Sequence, residues 1–178
     1  MGRALKADQT LYLGVIGEGR CSARLAAQAE RVGAAIAAAG AVLVCGGLGG
    51  VMEAASRGAA RAGGVVVGIL PGVDRSDANR WVTIPIVTGM DQARNAILVR
   101  SCDAVIAVGG MYGTLSEIAL ALKLGRPVIG LDTWTLRQPQ HRRVPIVRAT
   151  FPEDAVARAL RAARRPRKSR RAGRSLRP

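Results

Sequence analysis

The stretch Ala104-Val105-Ile106-Ala107-Val108, followed by Gly109-Gly110-Met111-Tyr112-Gly113, decides the fold. Five apolar residues without alternation predict a strand buried on both faces, the signature of a parallel sheet. The glycines predict a turn, and the residues beyond them a helix to about Leu124, closed by Gly125. The same strand–glycine–helix unit recurs upstream. Leu11–Ile16 reads as a strand, Gly17-Glu18-Gly19-Arg20-Cys21-Ser22 as a turn with Ser22 as N-cap, and Ala23–Ala39 as a helix. In that helix Leu25, Ala29, Val32 and Ile36 share one face. Ala41–Cys45 is a second strand, with Gly46-Gly47-Leu48-Gly49-Gly50 and a helix to about Ala62 after it.

Val65–Leu70 is a third strand, stopped by Pro71-Gly72, and Asp74–Trp81 reads as a loop. Pro85 within Ile84–Val87 predicts an edge strand. Asp91–Ser101 reads as one helix and Pro127–Leu131 as a strand, while Thr133–Arg148 carries no clear period. Thr150-Phe151-Pro152-Glu153 has the form of a capping box opening a helix to about Ala163, with Val156, Ala159, Leu160 and Ala163 inward. The alternation predicts an α/β fold: a Rossmann-like, doubly wound, mostly parallel sheet with helices on both faces. Residues 1–164 are expected to form one nucleotide-binding domain and residues 165–178 a basic, disordered tail.

Composition narrows the function. The chain has 178 residues, 49% apolar and 22% charged, a globular balance. Aromatics are only 3%, so Ala, Val, Leu and Ile with tightly packed glycine must form the core. Three cysteines, Cys21, Cys45 and Cys102, show no C-x-x-C spacing, so neither a disulfide framework nor a metal site is expected, and a cytoplasmic setting is. The start lacks an apolar signal segment and no run is long enough for a membrane span, so no membrane partner is expected. The formal charge of +15 lies mostly in ten basic residues between Arg158 and Pro178. That run has the charge to bind nucleic acid non-specifically, but no aromatic residue for base stacking.

Three glycine-rich turns lead into helix N-termini: Gly17/Gly19, Gly46-Gly47/Gly49, and Gly109-Gly110/Gly113 with Thr114. Free N–H groups and the helix dipole favour an anion there, and the turns fall where doubly wound folds bind ligands. A phosphorylated small molecule is the expected ligand. The G-x-x-x-x-G-K-[ST] loop is absent, and Val44-Cys45-Gly46 offers no acid for the ribose of a dinucleotide. A mononucleotide or another phosphomonoester fits better.

Cys45-Gly46-Gly47-Leu48-Gly49-Gly50-Val51-Met52-Glu53, Thr88-Gly89-Met90 with Ala93-Arg94-Asn95, and Gly109-Gly110-Met111-Tyr112-Gly113-Thr114-Leu115-Ser116-Glu117 resemble the LOG superfamily of Rossmann-like proteins. That group includes phosphoribohydrolases labelled "lysine decarboxylase", the molybdenum-cofactor carrier proteins and more distant relatives of DprA. The resemblance runs from about Leu11 to Leu131, and the Ala93-Arg94-Asn95 triplet with the Gly68-to-Gly72 stretch places it nearer the carrier branch. It implies no required cofactor, with a nucleotide or molybdenum cofactor as bound ligand. As an alternative it implies phosphoribohydrolase activity, with Glu117 stabilising an oxocarbenium-like sugar and Arg94 positioning ribose, phosphate or Glu117. Val108 stands where those enzymes carry proline, and Asn95 follows Arg94 where they usually carry lysine.

Spacing alone gives Thr114-Leu115-Ser116-Glu117 a second reading as a capping box. Arg94, taken alone, reads as a solvated helix charge. Cys45 and Cys102 read as core thiols, His141 as structural, and Met90 and Met111 as packing residues. A pyridoxal-dependent decarboxylase is excluded by the placing of Lys6, Lys123 and Lys168. Met90–Ser101 and Ser116–Leu124 carry apolar residues on more than one face, Leu98 and Leu122 among them. Together with the resemblance, this predicts a homodimer or larger homo-oligomer.

Overall fold

The computed structural model describes residues 10–137 and 144–165. His141 and the basic run from residue 166 onward lie outside the described residues. The elements in chain order are β1 (Tyr12–Gly17), α1 (Ala23–Ala38), β2 (Val42–Cys45), α2 (Val51–Arg61), β3 (Val66–Leu70) and β4 (Ile84–Val87). Then come α3 (Asn95–Ser101), β5 (Ala104–Val108), α4 (Tyr112–Lys123), β6 (Val128–Leu131), β7 (Ile146–Arg148) and α5 (Pro152–Ala163). Short 3-10 turns occupy Arg75–Asp77 and Asp91–Arg94.

The seven strands form one sheet, β4-β3-β2-β1-β5-β6-β7, with every neighbouring pair parallel. β5 is buried along its whole length between β1 and β6. β4 lies at an edge, as Pro85 requires, and Ile84, Ile86 and Val87 are exposed there. One face of the sheet is covered by α1, α2 and α5, which contribute Ala29, Val32, Ile36, Ala55, Val156 and Ala159 to the core. The other is covered by α3 and α4 through Leu98, Val99, Ile118 and Ala121. The chain order reverses between β1 and β5, so their carboxyl ends diverge into a crevice.

Ser22 caps α1 as expected, its Oγ accepting from the Leu25 N–H at 3.3 Å. Three readings need correction. Asp91–Ser101 is not one helix: it opens as a 3-10 turn with Asp91 at φ +44°, and only Asn95–Ser101 is α-helical. The unassigned Thr133–Arg148 stretch contains β7, whose Arg148 guanidinium donates to the Thr133 and Trp134 carbonyls. The Thr150 capping box does not form. Phe151 is the N-cap, Asp154 accepts from the Thr150 N–H, and Glu153 turns away to a two-bond pair with Arg31.

Leu98 and Val99 are wholly buried inside the fold, so the apolar second face of α3 is reduced to Ile97 and its neighbours. α3 packs against β1, β2 and α4 at once, so it needs more than one apolar stripe within a single chain. No helix among the described residues is long and apolar enough to cross a membrane.

Candidate functional site

A cleft of about 290 Å³ opens at the carboxyl ends of β1, β2 and β5, at the lower end of the size usual for small-molecule sites. Gly17, Gly19, Gly46, Gly113, Thr114, Arg94 and Glu117 all line it. These residues span a hundred positions in the chain, and the switch point of the sheet brings them together.

Arg94 sits on the 3-10 turn before α3 and, contrary to its solvated reading, is buried. Its guanidinium lies across Gly46: a Cβ there would stand 2.5 Å from Nη2 and 2.6 Å from Nη1. Glycine at 46 is therefore what gives Arg94 its place. Nε and Nη1 are both buried without a hydrogen-bond partner. The nearest countercharge is Glu117, whose Oε1 is 4.0 Å from Nη1, beyond hydrogen-bond reach.

Glu117 owes its position to where α4 begins. The helix starts at Tyr112, with Met111 as N-cap, so Thr114 and Glu117 do not form a capping box. Glu117 instead lies a turn inside the helix, facing the sheet, and is 7% exposed. Burial pushes its carboxyl up to about 7, against the opposing pull of Arg94. The buried Arg94 guanidinium is shifted down by the same desolvation.

The remaining glycines of the expected set do not line the cleft; they shape its walls. Gly110 adopts φ +115° with its Cα against the Thr114 side chain. Its N–H donates to Glu18 Oε1 at 3.4 Å, and the same oxygen lies over Gly109. A carboxylate thus occupies part of the turn read as an anion cradle. Gly47 packs on Leu70 and Gly68, its carbonyl held by the Asn79 backbone and side chain. Gly49 borders Gly19.

Glu18, Arg20, Met52, Gln92 and Asn95 also line the cleft; the sequence assigns none of them a site role, although Met52 and Asn95 stand in stretches that carry the resemblance. In the turn that holds Glu18 and Arg20, the glycines and the Ser22 cap carry the sequence signal. Gln92 and Asn95 stand in Asp91–Ser101, which the sequence pattern presents as one continuous helix. Met111 lines the cleft and is 61% exposed, and Met90 is 45% exposed, so neither is a packing residue. Cys45 and Cys102 are core thiols: both are buried, and burial pushes both thiols up.

A doubly wound parallel sheet with a polar cleft at its switch point defines a Rossmann-like protein of the ligand-binding kind. The chain belongs to the SLOG cluster4 family, whose profile it matches over residues 10–157. An uncharacterized protein of Archaeoglobus fulgidus is 52% identical over 121 residues, 68% of this chain and 80% of that one. The molybdenum cofactor binding protein of the phototrophic bacterium Rippkaea orientalis superposes with TM-score 0.78 at 38% identity, over 86% of this chain and 97% of that one. The molybdenum cofactor carrier protein of Chlamydomonas reinhardtii gives 0.76 at 34% identity, over 86% and 98%. The resemblance read from the sequence, with its leaning to the carrier branch, agrees with these likenesses.

Proposed function

We propose that this protein binds a phosphorylated small molecule in the cleft, either a pterin phosphate such as molybdenum cofactor or a nucleoside monophosphate. Arg94 carries the reading. A guanidinium whose side chain is 10% exposed has two donors without partners, and the Glu117 carboxylate 4.0 Å from it is pushed toward neutrality. Such a buried cation lacks most of its compensation, and an anionic ligand supplies it. Gly113 and Thr114 add the first turn of α4, whose N–H groups favour a phosphate. Glu18 competes for the Gly110 N–H, so a phosphate seated there displaces it. The likeness to molybdenum cofactor binding and carrier proteins supports the pterin member of this ligand class.

Calorimetric titration with pterin phosphates and nucleoside monophosphates is expected to show binding at or below millimolar concentration. Arg94→Met should weaken it roughly ten- to a hundredfold, the usual worth of hydrogen bonds to a charged group. No binding by the wild-type chain at millimolar ligand sinks the reading. Glu117, raised to about 7 within reach of the same cleft, favours a second reading as a nucleoside 5′-monophosphate phosphoribohydrolase. The same mixtures test it. Free base should accumulate and Glu117→Ala should stop its release; none from any common monophosphate excludes turnover.

The reading includes a second copy of the chain as partner. Ile97, Met111 and Tyr112 are exposed on the side of the sheet covered by α3 and α4, and Met90 is exposed ahead of the turn that leads into α3. Light scattering at micromolar concentration is expected to give a dimer mass or larger, and a monomer mass would remove the partner from the proposal.

A further inference from the structure

A second cavity of about 220 Å³ adjoins the cleft, lined by Leu48, Pro71, Asp91, Gln92, Arg94 and Asn95. It shares Gln92, Arg94 and Asn95 with the first. Arg94 therefore stands at a junction, its side chain 10% exposed and its Nε and Nη1 unpartnered. The first cleft sits at the ends of β1, β2 and β5; the second sits beyond β2 and β3, against the turn that follows β4.

The two cavities differ in chemistry. The first has a helix N-terminus with Arg20 and Arg94, beside the carboxylates Glu18 and Glu117. The second has Leu48 and Pro71 as apolar walls, with an acceptor-only carboxylate at Asp91 and two amides at Gln92 and Asn95. Apolar walls suit the faces of a planar ring, and a carboxylate with amides suits its hydrogen-bonding edge. A 2-amino-4-oxo pyrimidine ring, common to guanine and pterins, presents two adjacent N–H donors beside a carbonyl. One carboxylate accepts both donors, and an amide N–H serves the carbonyl. Adenine lacks that donor pair.

The walls are already held in place. The Asp91 N–H donates to the Pro71 carbonyl at 3.1 Å, and the Gly89 N–H to that of Gly72 at 2.9 Å. Asn79 Nδ2 holds the Leu48 carbonyl at 2.9 Å, and Thr88 Oγ1 donates to that of Leu70 at 2.7 Å. Little ordering remains to be done on binding.

We infer that the cavity beyond Arg94 is a heterocycle subsite, in which Asp91 with Gln92 and Asn95 reads a 2-amino-4-oxo ring edge while the phosphate lies in the first cleft. This rests on the phosphate-binding reading above and extends it to the other end of the ligand.

The test titrates the full chain with inorganic phosphate, ribose 5-phosphate, adenosine 5′-monophosphate and guanosine 5′-monophosphate. The guanosine nucleotide is expected to bind about tenfold tighter than ribose 5-phosphate and tighter than the adenosine nucleotide. Asp91→Asn keeps a side chain that tolerates the left-handed backbone at this position. It should weaken guanosine 5′-monophosphate about tenfold and leave ribose 5-phosphate unchanged. Suppose ribose 5-phosphate binds and guanosine 5′-monophosphate binds no tighter, or Asp91→Asn weakens both alike. The heterocycle subsite is then overturned and the phosphate reading stands. If none of the four binds the wild-type chain, both fall together.

Discussion

Raising the pH from below 4.5 to above 7 is expected to remove about 3 kcal/mol of folding stability through Glu117 alone. In the unfolded chain this carboxyl ionises near its ordinary value of 4.5; in the folded protein burial holds its proton to about 7. Between those values the folded state binds more protons than the unfolded state, so stability falls as pH rises. Below 4.5 both states are protonated and the contribution is fully present; above about 7 it is lost. The surface carboxylates run the other way. Glu30, Asp132, Glu153 and Asp154 are each lowered by an arginine neighbour, so what they contribute is complete just above their ordinary range.

The Glu117 decline is therefore expected between about pH 4.5 and pH 7. Urea unfolding across that range measures it, and Glu117→Gln should flatten the slope while keeping the side chain's volume. A variant with the wild-type slope would show that Glu117 is not the group responsible. The same titration bears on binding. Protonating Glu117 strips Arg94 of the carboxylate paired with it at 4.0 Å, so affinity for an anionic ligand should rise as the pH falls through 7.

Sheet and layers were legible because each central strand is an unbroken apolar run and each turn is marked by glycine. Val105, Ile106 and Val108 leave no other reading of β5. Element boundaries are not legible where one residue overrides a periodic pattern. Asp91 in the left-handed region breaks Asp91–Ser101 into a turn and a short helix, and Arg94 turns inward because of that break. Nothing local to Arg94 signals burial; the room for it is made by Gly46, about fifty residues earlier. Spacing likewise permitted Thr114 and Glu117 a cap. Only the start of α4 at Tyr112 turns Glu117 into the cleft. Glu18 is not legible because a carboxylate between two glycines looks like turn filler until the sheet closes β1 against β5 and lays it on Gly110.

The glycine count in the chain had a third use beyond turns and ligands. Gly33 of α1 and Gly58 of α2 lie where these two helices cross. A Cβ at Gly33 would stand 1.9 Å from the Ala55 carbonyl oxygen, and one at Gly58 1.9 Å from that of Glu30. In an isolated helix, replacing glycine by alanine gains about 0.5–1 kcal/mol. Here backbone meets backbone, and no side-chain rotation relieves an overlap of that depth, so the helices must separate. Gly58→Ala is expected to destabilise the protein by about 3 kcal/mol, at the upper end of overpacking effects. That corresponds to a fall in melting temperature of roughly 6–12 °C for a chain of this size. Gly33→Ala should behave alike. The double variant should lose less than the sum, because helices already separated by one methyl group accommodate the second more cheaply. Gly113→Ala is the control for stability: its Cβ meets nothing within 4 Å in the first turn of α4, so it should be neutral or slightly stabilising. A Gly58→Ala protein melting at or above the wild type would refute the close crossing. Because α2 also carries Met52 into the cleft, the destabilised variants should lose ligand affinity in proportion to how far α2 withdraws.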